Sequence, residues 1–307
     1  MIRVSIKAWN YARVAFSDEK PNYMRKQQYK SFALASLHHI PSKRWFKILD
    51  TDNFTEILHH RPRLYLKPFK TYLSTDYSIT KKIKIICDTY RFIYQNNIQK
   101  IIYKESENFS NLPLKNNFPG HVSIGYDDRY RKEGELVISL FIDHLHGVIS
   151  SVAFSFEFNE SSGWICKIGC LQGRPVRDGQ YVTKEAQKLM SGIRPKAFLI
   201  EILQEFCKIL EVKHIHAIGG RYQAQKKKHF VHIPSLHSIH FSYDDFWKEI
   251  GGKEIGENWY ALPLETQKRD ISEIKSEKRA YYKRRYELMD KVKADLFNFL
   301  KDPTGKN

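Results

Sequence analysis

The spacing of apolar residues changes near residue 120, and that change demands a mixed fold: helices first, a sheet after. From Thr80 to Tyr103 the apolar set is Ile83, Ile86, Cys87, Tyr90, Ile93, Tyr94, Ile98, Ile101 and Ile102. This is an amphipathic stripe of about six turns at ~3.6 residues per turn, with Thr80 as its N-cap. Upstream, Ser31–Ile40 (stopped by Pro41), Ser42–Leu49 and Asn53–His60 read as shorter helices. Beyond residue 120 the period falls to two. Leu136–Ile142, Val148–Phe158 and Gly163–Leu171 predict three antiparallel strands, the first two joined by a hairpin at Asp143–Gly147. The polar, Asn-rich stretch Glu105–Pro119 reads as a linker.

Helix then returns. Thr183–Met190 is short and ends at Ser191-Gly192. Pro195–Glu211 opens on a proline suited to a first turn and buries Phe198, Leu199, Ile202, Leu203, Phe206 and Leu210. His214–Gly219 and Trp259–Leu264 are strands, and Asp244–Ile250 is a helix closed by Gly251-Gly252. Ser272–Leu300 is a long Lys/Arg-rich helix whose Leu288, Val292 and Leu296 need a partner. We expect them to pack on the helical N-terminal region, leaving Lys278, Arg284 and Arg285 for an anionic partner. The fold class is α+β: a basic helical region (1–105), a linker (106–119), a mixed-sheet domain (120–267), and a C-terminal basic helix and tail (268–307). In the order β-β-β-α-β-α-β over 134–264, the strand–helix–strand step gives a parallel pair.

Charge separates the two parts. The 307 residues carry a net +17. Residues 1–104 hold 20 Lys and Arg against 7 Asp and Glu; the rest hold 31 against 27. A basic surface of this kind attracts polyanions. An anionic membrane surface or lipid is the expected partner, with nucleic acid ranking below it because no zinc-finger spacing or RNP run occurs. With 42% hydrophobic residues a packed core is expected. No apolar run approaches the ~18 residues of a membrane span. No secretory signal is visible, so the four cysteines are expected to stay reduced in a cytosol-like compartment.

Few residues suggest chemistry. Gly192-Ile193-Arg194-Pro195-Lys196 opens a helix, where unpaired N–H groups suit anions. With the Gln172-Gly173-Arg174 turn and Arg221 it supplies the candidate anion or cofactor site: Gln172, Gly173, Arg174, Gly192, Arg194, Lys196 and Arg221. Catalytic residues are not assignable, and no metal is expected. His144 with His146, and His214 with His216, each lack a visible third ligand. His229, His232, His237 and His240 stand beside Lys226-Lys227-Lys228 in a cationic loop that gains charge below pH ~6.5. Cys166 and Cys170 are expected on one strand face, as buried structural thiols like Cys87 and Cys207.

The order of strands and helices resembles the acyl-CoA-dependent N-acetyltransferase (GNAT) fold. That resemblance implies an acyl-CoA or aminoacyl donor held near the helix start at Gly192–Lys196. Three features depart from it. The Gln/Arg-x-x-Gly-x-Gly/Ala loop is absent, Pro195 removes a donor, and Trp247 stands four residues before Gly251 where a general-acid Tyr is usual, with Tyr243 one turn earlier.

Four blocks also resemble the VirK/YbjX family: Cys170-Leu171-Gln172-Gly173; Gly192-Ile193-Arg194-Pro195-Lys196; Tyr243-Asp244-Asp245-Phe246-Trp247-Lys248-Glu249-Ile250-Gly251-Gly252; and Ile274–Tyr286. The resemblance spans roughly residues 30–295. It implies a Gram-negative bacterial factor linked to virulence, antimicrobial peptide resistance and the cell envelope. Its expected place is cytoplasmic or peripheral at the inner membrane. No established catalytic residue comes with it.

Overall fold

The computed structural model describes residues 2–103, 106–174, 179–224, 242–256 and 258–301. The cationic loop with His229, His232, His237 and His240 lies outside the described residues. The chain divides into two compact units, Met1–Tyr72 with Asp76–Lys84, and Leu73–Thr75 with Ile85–Asn307.

The first unit is helical: α1 (Ile2–Ala15), α2 (Pro21–Leu37), α3 (His39–Leu49) and α4 (Asp52–His60), followed by a 3-10 stretch at Pro62–Phe69. Pro41 does not end a helix; it sits in the first turn of α3, where a missing N–H costs nothing. The core is small and aromatic. Trp45 is fully buried and donates from Nε1 to the Tyr65 carbonyl at 2.9 Å, and the Tyr65 hydroxyl meets Ser31 Oγ at 2.9 Å.

Helix α5 (Ile79–Gln95) begins in the first unit and runs on into the second from Ile85, where α6 (Lys100–Tyr103) follows it. The single long helix is broken because Asn97 adopts φ +55°, a left-handed conformation that ends helical pairing. An eight-stranded sheet comes next: β1 (Glu107–Asn111), β2 (Gly120–Gly125), β3 (Leu136–Ile142), β4 (Gly147–Asn159) and β5 (Gly163–Gly173). Helices α7 (Gly179–Leu189) and α8 (Pro195–Ile209) lead to β6 (His214–Ile218), then α9 (Tyr243–Glu249), β7 (Lys253–Ile255) and β8 (Trp259–Leu262). The sheet order is β1-β2-β3-β4-β5-β6-β8-β7, antiparallel throughout except for the parallel β5–β6 pair that α8 bridges. The supposed linker holds β1, which pairs with β2 from Glu107↔Ile124 to Asn111↔His121. Its polar side chains hid it, because an edge strand is held by backbone pairing with a neighbour.

One sheet face is apolar and carries the core. Phe156 stacks on Phe92 of α5 at 3.9 Å and lies beside Phe206 of α8. On the other face, Lys167 and Glu157 form an ion pair at 3.8 Å with both side chains nearly buried, and Lys167 lies 3.9 Å over Trp259. His216 is in register with Lys167. Its pKa is pushed down to about 4 by burial, then by Lys167 and His214, with Glu157 opposing. The unfolded chain therefore takes up a proton near pH 6.5 that the folded chain refuses. Stability that is full above pH 6.5 falls as the pH drops toward 4. Urea titrations of His216→Gln across this window should show a shallower fall than the parent; equal slopes would remove His216 as the cause.

The C-terminal helix, α10 (Ser276–Lys301), buries Leu288, Met289, Val292 and Leu296. It packs on α8 and β1 of its own unit. Arg285 reaches Glu201 at 4.0 Å and Lys293 reaches Glu205 at 3.6 Å, both on α8, while Ser110 Oγ of β1 donates to Asp295 at 2.6 Å. Of residues 1–105, α6 meets its end: Lys100 Nζ donates to the Phe299 carbonyl at 3.0 Å. The predicted stripe is thus buried, with α8 and β1 as its partners. Of the three cations expected to stay available, Lys278 and Arg284 are exposed.

Candidate functional site

The middle of β5 carries a one-residue bulge. Ala153 pairs with Cys170 and Phe154 with Ile168, so Gly169 has no partner on β4. Only glycine fits there: a Cβ would stand 2.0 Å from the Glu133 carbonyl oxygen and 2.7 Å from a methyl of Leu73. The extra residue inverts the alternation beyond it. Cys166 and Cys170, four residues apart, therefore lie on opposite faces. Cys166 meets Cys207 of α8 on the core side. Cys170 joins Tyr130, Val137 and Ala153 on the other.

Past the bulge, β5 loses its parallel neighbour. The last β5–β6 pair is Ile168↔Ala217. A side chain takes the place of a strand there. The Leu171 N–H donates to the Tyr243 hydroxyl at 3.1 Å, and that hydroxyl donates to the Leu171 carbonyl at 2.9 Å. Tyr243 opens α9, which is capped at its start and pinned to the end of β6 by two contacts. Ser242 caps the helix by accepting from the Asp245 N–H at 3.3 Å, Asp244 accepts from the Gly220 N–H at 3.0 Å, and Trp247 Nε1 donates to the Ile218 carbonyl at 2.9 Å. Burial, then Cys170, keeps the Tyr243 phenol protonated far above its usual range. Cys170 Sγ lies 3.8 Å from that phenol. Burial and Glu133 push the Cys170 thiol up to about 12, so it is not a nucleophile at neutral pH. We expect Tyr243→Phe to lose about 2 kcal/mol, because two buried backbone groups on Leu171 lose a partner. Denaturant unfolding measures it; a loss near zero would mean that water reaches the gap.

The candidate residues separate. Gly173 and Lys196 meet: a Cβ on Gly173 would touch the Lys196 side chain at 3.6 Å. Lys196 lies in the first turn of α8, and burial lowers its pKa to about 8. Gln172 is one residue before Gly173, opposite Ser151, and its carbonyl accepts from Ser150 Oγ at 2.9 Å. The other four turn elsewhere. The Arg174 guanidinium donates to the Leu145 carbonyl in the β3–β4 turn. Arg194 pairs with Glu249 of α9 at 2.5 and 3.0 Å. Gly192, at φ +79°, lies directly under the Tyr281 hydroxyl of α10. Arg221 is exposed, 5.5 Å over the Tyr222 ring. Among the described residues no group of three or more His, Cys, Asp and Glu could hold a metal ion.

Register links this gap to a cleft. Ser123, Ser139, Ser151 and Gln172 follow one another across β2, β3, β4 and β5, and Ser139 and Ser151 share a hydrogen bond at 2.8 Å. Their face opens at the β2–β3 end into a cleft of about 440 Å³ lined by Ser123, Val137, Ser139 and Phe141, with Asp127 and Arg129 at its rim. Asp127 and Arg129 hold each other at 2.6 to 3.0 Å. Sequence reasoning noted Tyr243 only as lying one turn before Trp247 and missed its bond to Leu171 and the small-residue face, since a phenol standing in for a strand leaves no periodic trace.

The family described as "Protein of unknown function (DUF535)" matches residues 21–298. An "Uncharacterized protein YbjX" of Escherichia coli is 24% identical over 256 residues, covering 80% of this chain and 74% of the relative. Two proteins of Haemophilus influenzae, each titled "Uncharacterized protein", are 31% identical over 129 residues and 30% over 138. Those matches cover 42% and 43% of the relatives' lengths, less than half of each. No solved structure matches. No helix among the described residues is long and apolar enough to cross a membrane. With nearly its whole length matched, this chain belongs to the DUF535 family and is related to YbjX.

Proposed function

We propose that this is a VirK/YbjX-like bacterial factor that supports cell-envelope integrity, antimicrobial peptide resistance or virulence from the cytoplasmic side, with the anionic inner-membrane surface as its partner. Its sheet unit is GNAT-like and works as an aminoacyl or acyl transferase on an envelope lipid or protein. One observation carries the transferase reading: β5 parts from β6 beyond a bulge, and the protonated Tyr243 phenol from the following helix stands in the opening. The phenol occupies the gap by bonding both backbone groups of Leu171, so an amide-bearing chain would enter by displacing it there, and the displaced phenol is placed to donate its proton.

The residues do not fit the diphosphate of acyl-CoA. Arg194 is engaged by Glu249, Arg174 by a backbone carbonyl, Gly192 is covered by Tyr281, and Pro195 has no N–H to give. An aminoacyl donor is therefore preferred. Thermal unfolding with acetyl-CoA, a long-chain acyl-CoA and an aminoacyl-tRNA tests it. A ligand at 100 times its Kd adds about 2.7 kcal/mol. We expect the rise with aminoacyl-tRNA and none with the CoA thioesters. No rise with any donor withdraws the transferase reading and leaves the envelope role to be tested by deletion and polymyxin challenge.

A further inference from the structure

The first two helices form an antiparallel pair whose outward side is apolar and cationic together. Three contacts set their register: Ser5 Oγ to Ser36 Oγ at 2.7 Å, Trp9 on Tyr29 at 5.0 Å, and Phe16 on Tyr23 at 5.9 Å. Successive helical residues turn by about 100°. Counted from the Ser5–Ser36 contact, Ile2, Ile6 and Arg13 of α1 and Lys26, Lys30, Ala33 and Leu37 of α2 fall on one side. The buried Ala8, Ala12, Gln28 and Ala35 fall on the other. Ile2 is 68% exposed, Ile6 49%, Leu37 76%, and Ile40 just beyond it 75%. Large aliphatic residues this open, grouped at one end of a helix pair, mark an interaction surface.

Charge decides the partner. Residues 1–44 carry nine Lys and Arg against two acids, Asp18 and Glu19. Both acids are held by Arg63. A second copy of this face would set cation against cation, and a nucleic acid would leave the aliphatic residues in water. A lipid surface with anionic headgroups satisfies both parts: the headgroups meet the lysines and arginines while the isoleucine and leucine side chains enter the acyl boundary.

We propose that the α1–α2 face is a docking surface for anionic membrane, with Ile2, Ile6 and Leu37 inserted and Arg13, Lys26 and Lys30 on the headgroups. This names the surface for the inner-membrane placement proposed above and is independent of any transfer activity. The test is co-sedimentation of the full chain with vesicles of phosphatidylcholine, alone or mixed with phosphatidylglycerol, at low and high salt. The parent should bind the mixed vesicles and lose most binding in high salt. Lys26→Gln with Lys30→Gln should weaken that binding about 30-fold, at roughly 1 kcal/mol per charge. Ile6→Asn with Leu37→Asn should weaken it about tenfold or more. Both pairs are exposed, so thermal unfolding should be unchanged.

Equal binding to neutral and anionic vesicles, or no binding at low salt, overturns the proposal. So does binding that ignores the Ile6/Leu37 pair, and so does a dimer in solution that the same pair breaks, which would give the face to a second copy. Vesicle binding that survives while every donor fails to stabilise the protein rejects only the transferase reading; the reverse rejects only the membrane face.

Discussion

Ending the chain after Pro263 is expected to abolish stable folding of the sheet unit. The cut removes α10, whose Leu288, Met289, Val292 and Leu296 are all at most 5% exposed. At about 1.5–3 kcal/mol for each buried apolar side chain, the lost burial is roughly 6–12 kcal/mol. That is an upper bound, because an unfolded chain already hides some of this area. It is still comparable to the ~5–15 kcal/mol by which domains are stable at all. The ion pairs to Glu201 and Glu205 are lost as well, and burial already raises the Glu201 pKa against the pull of Lys293 and Arg285. Insoluble or protease-sensitive product from the shortened chain is the expected result, with Leu296→Ala losing about 2–4 kcal/mol in the full chain. Unchanged solubility and unfolding in both would mean that the helix does not dock.

Gly169→Ala is expected to cost about 3 kcal/mol or more. The new Cβ would sit 2.0 Å from one backbone oxygen and 2.9 Å from its carbon, both of Glu133, so no side-chain rotation relieves the clash. Overpacking costs typically 1–3 kcal/mol, and more where backbone must move. The movement reaches the site directly, because Cys170 follows the bulge and Glu133 faces it. Gly173→Ala is the control. Its Cβ would make only ordinary contact with Lys196, and a change within about 1 kcal/mol is expected. Chemical denaturation of both variants decides it; similar losses in the two would show that the bulge is not tightly constrained.

Much of the architecture was legible. The strands at β3, β4 and β5, the helices α8 and α9, and the α+β class all followed from spacing and from Pro195 and Gly251. Those signals are local: a period of two or of ~3.6 is written within one segment. The chain's basic first third was equally plain, because charge is counted without knowing the fold.

Pairing was not legible, because it joins residues far apart in the chain. Cys166 and Cys170 keep strand spacing, yet one inserted residue sends them to opposite faces, and the Glu133 backbone that favours Gly169 comes from 36 residues earlier. Arg194 has the chemistry of an anion ligand, but Glu249 of a later helix already pairs with it, and Gly192, which its sequence neighbours leave open, is covered by Tyr281. β1 has too little apolar content to announce itself, and β2 holds it. The sequence by itself determined which segments are helix or strand and which third is cationic, since burial period and charge are properties of neighbours along the chain. Only the tertiary structure decided which cations are already paired, where β5 leaves the sheet, and that a tyrosine hydroxyl fills the gap, since each depends on groups brought together by packing.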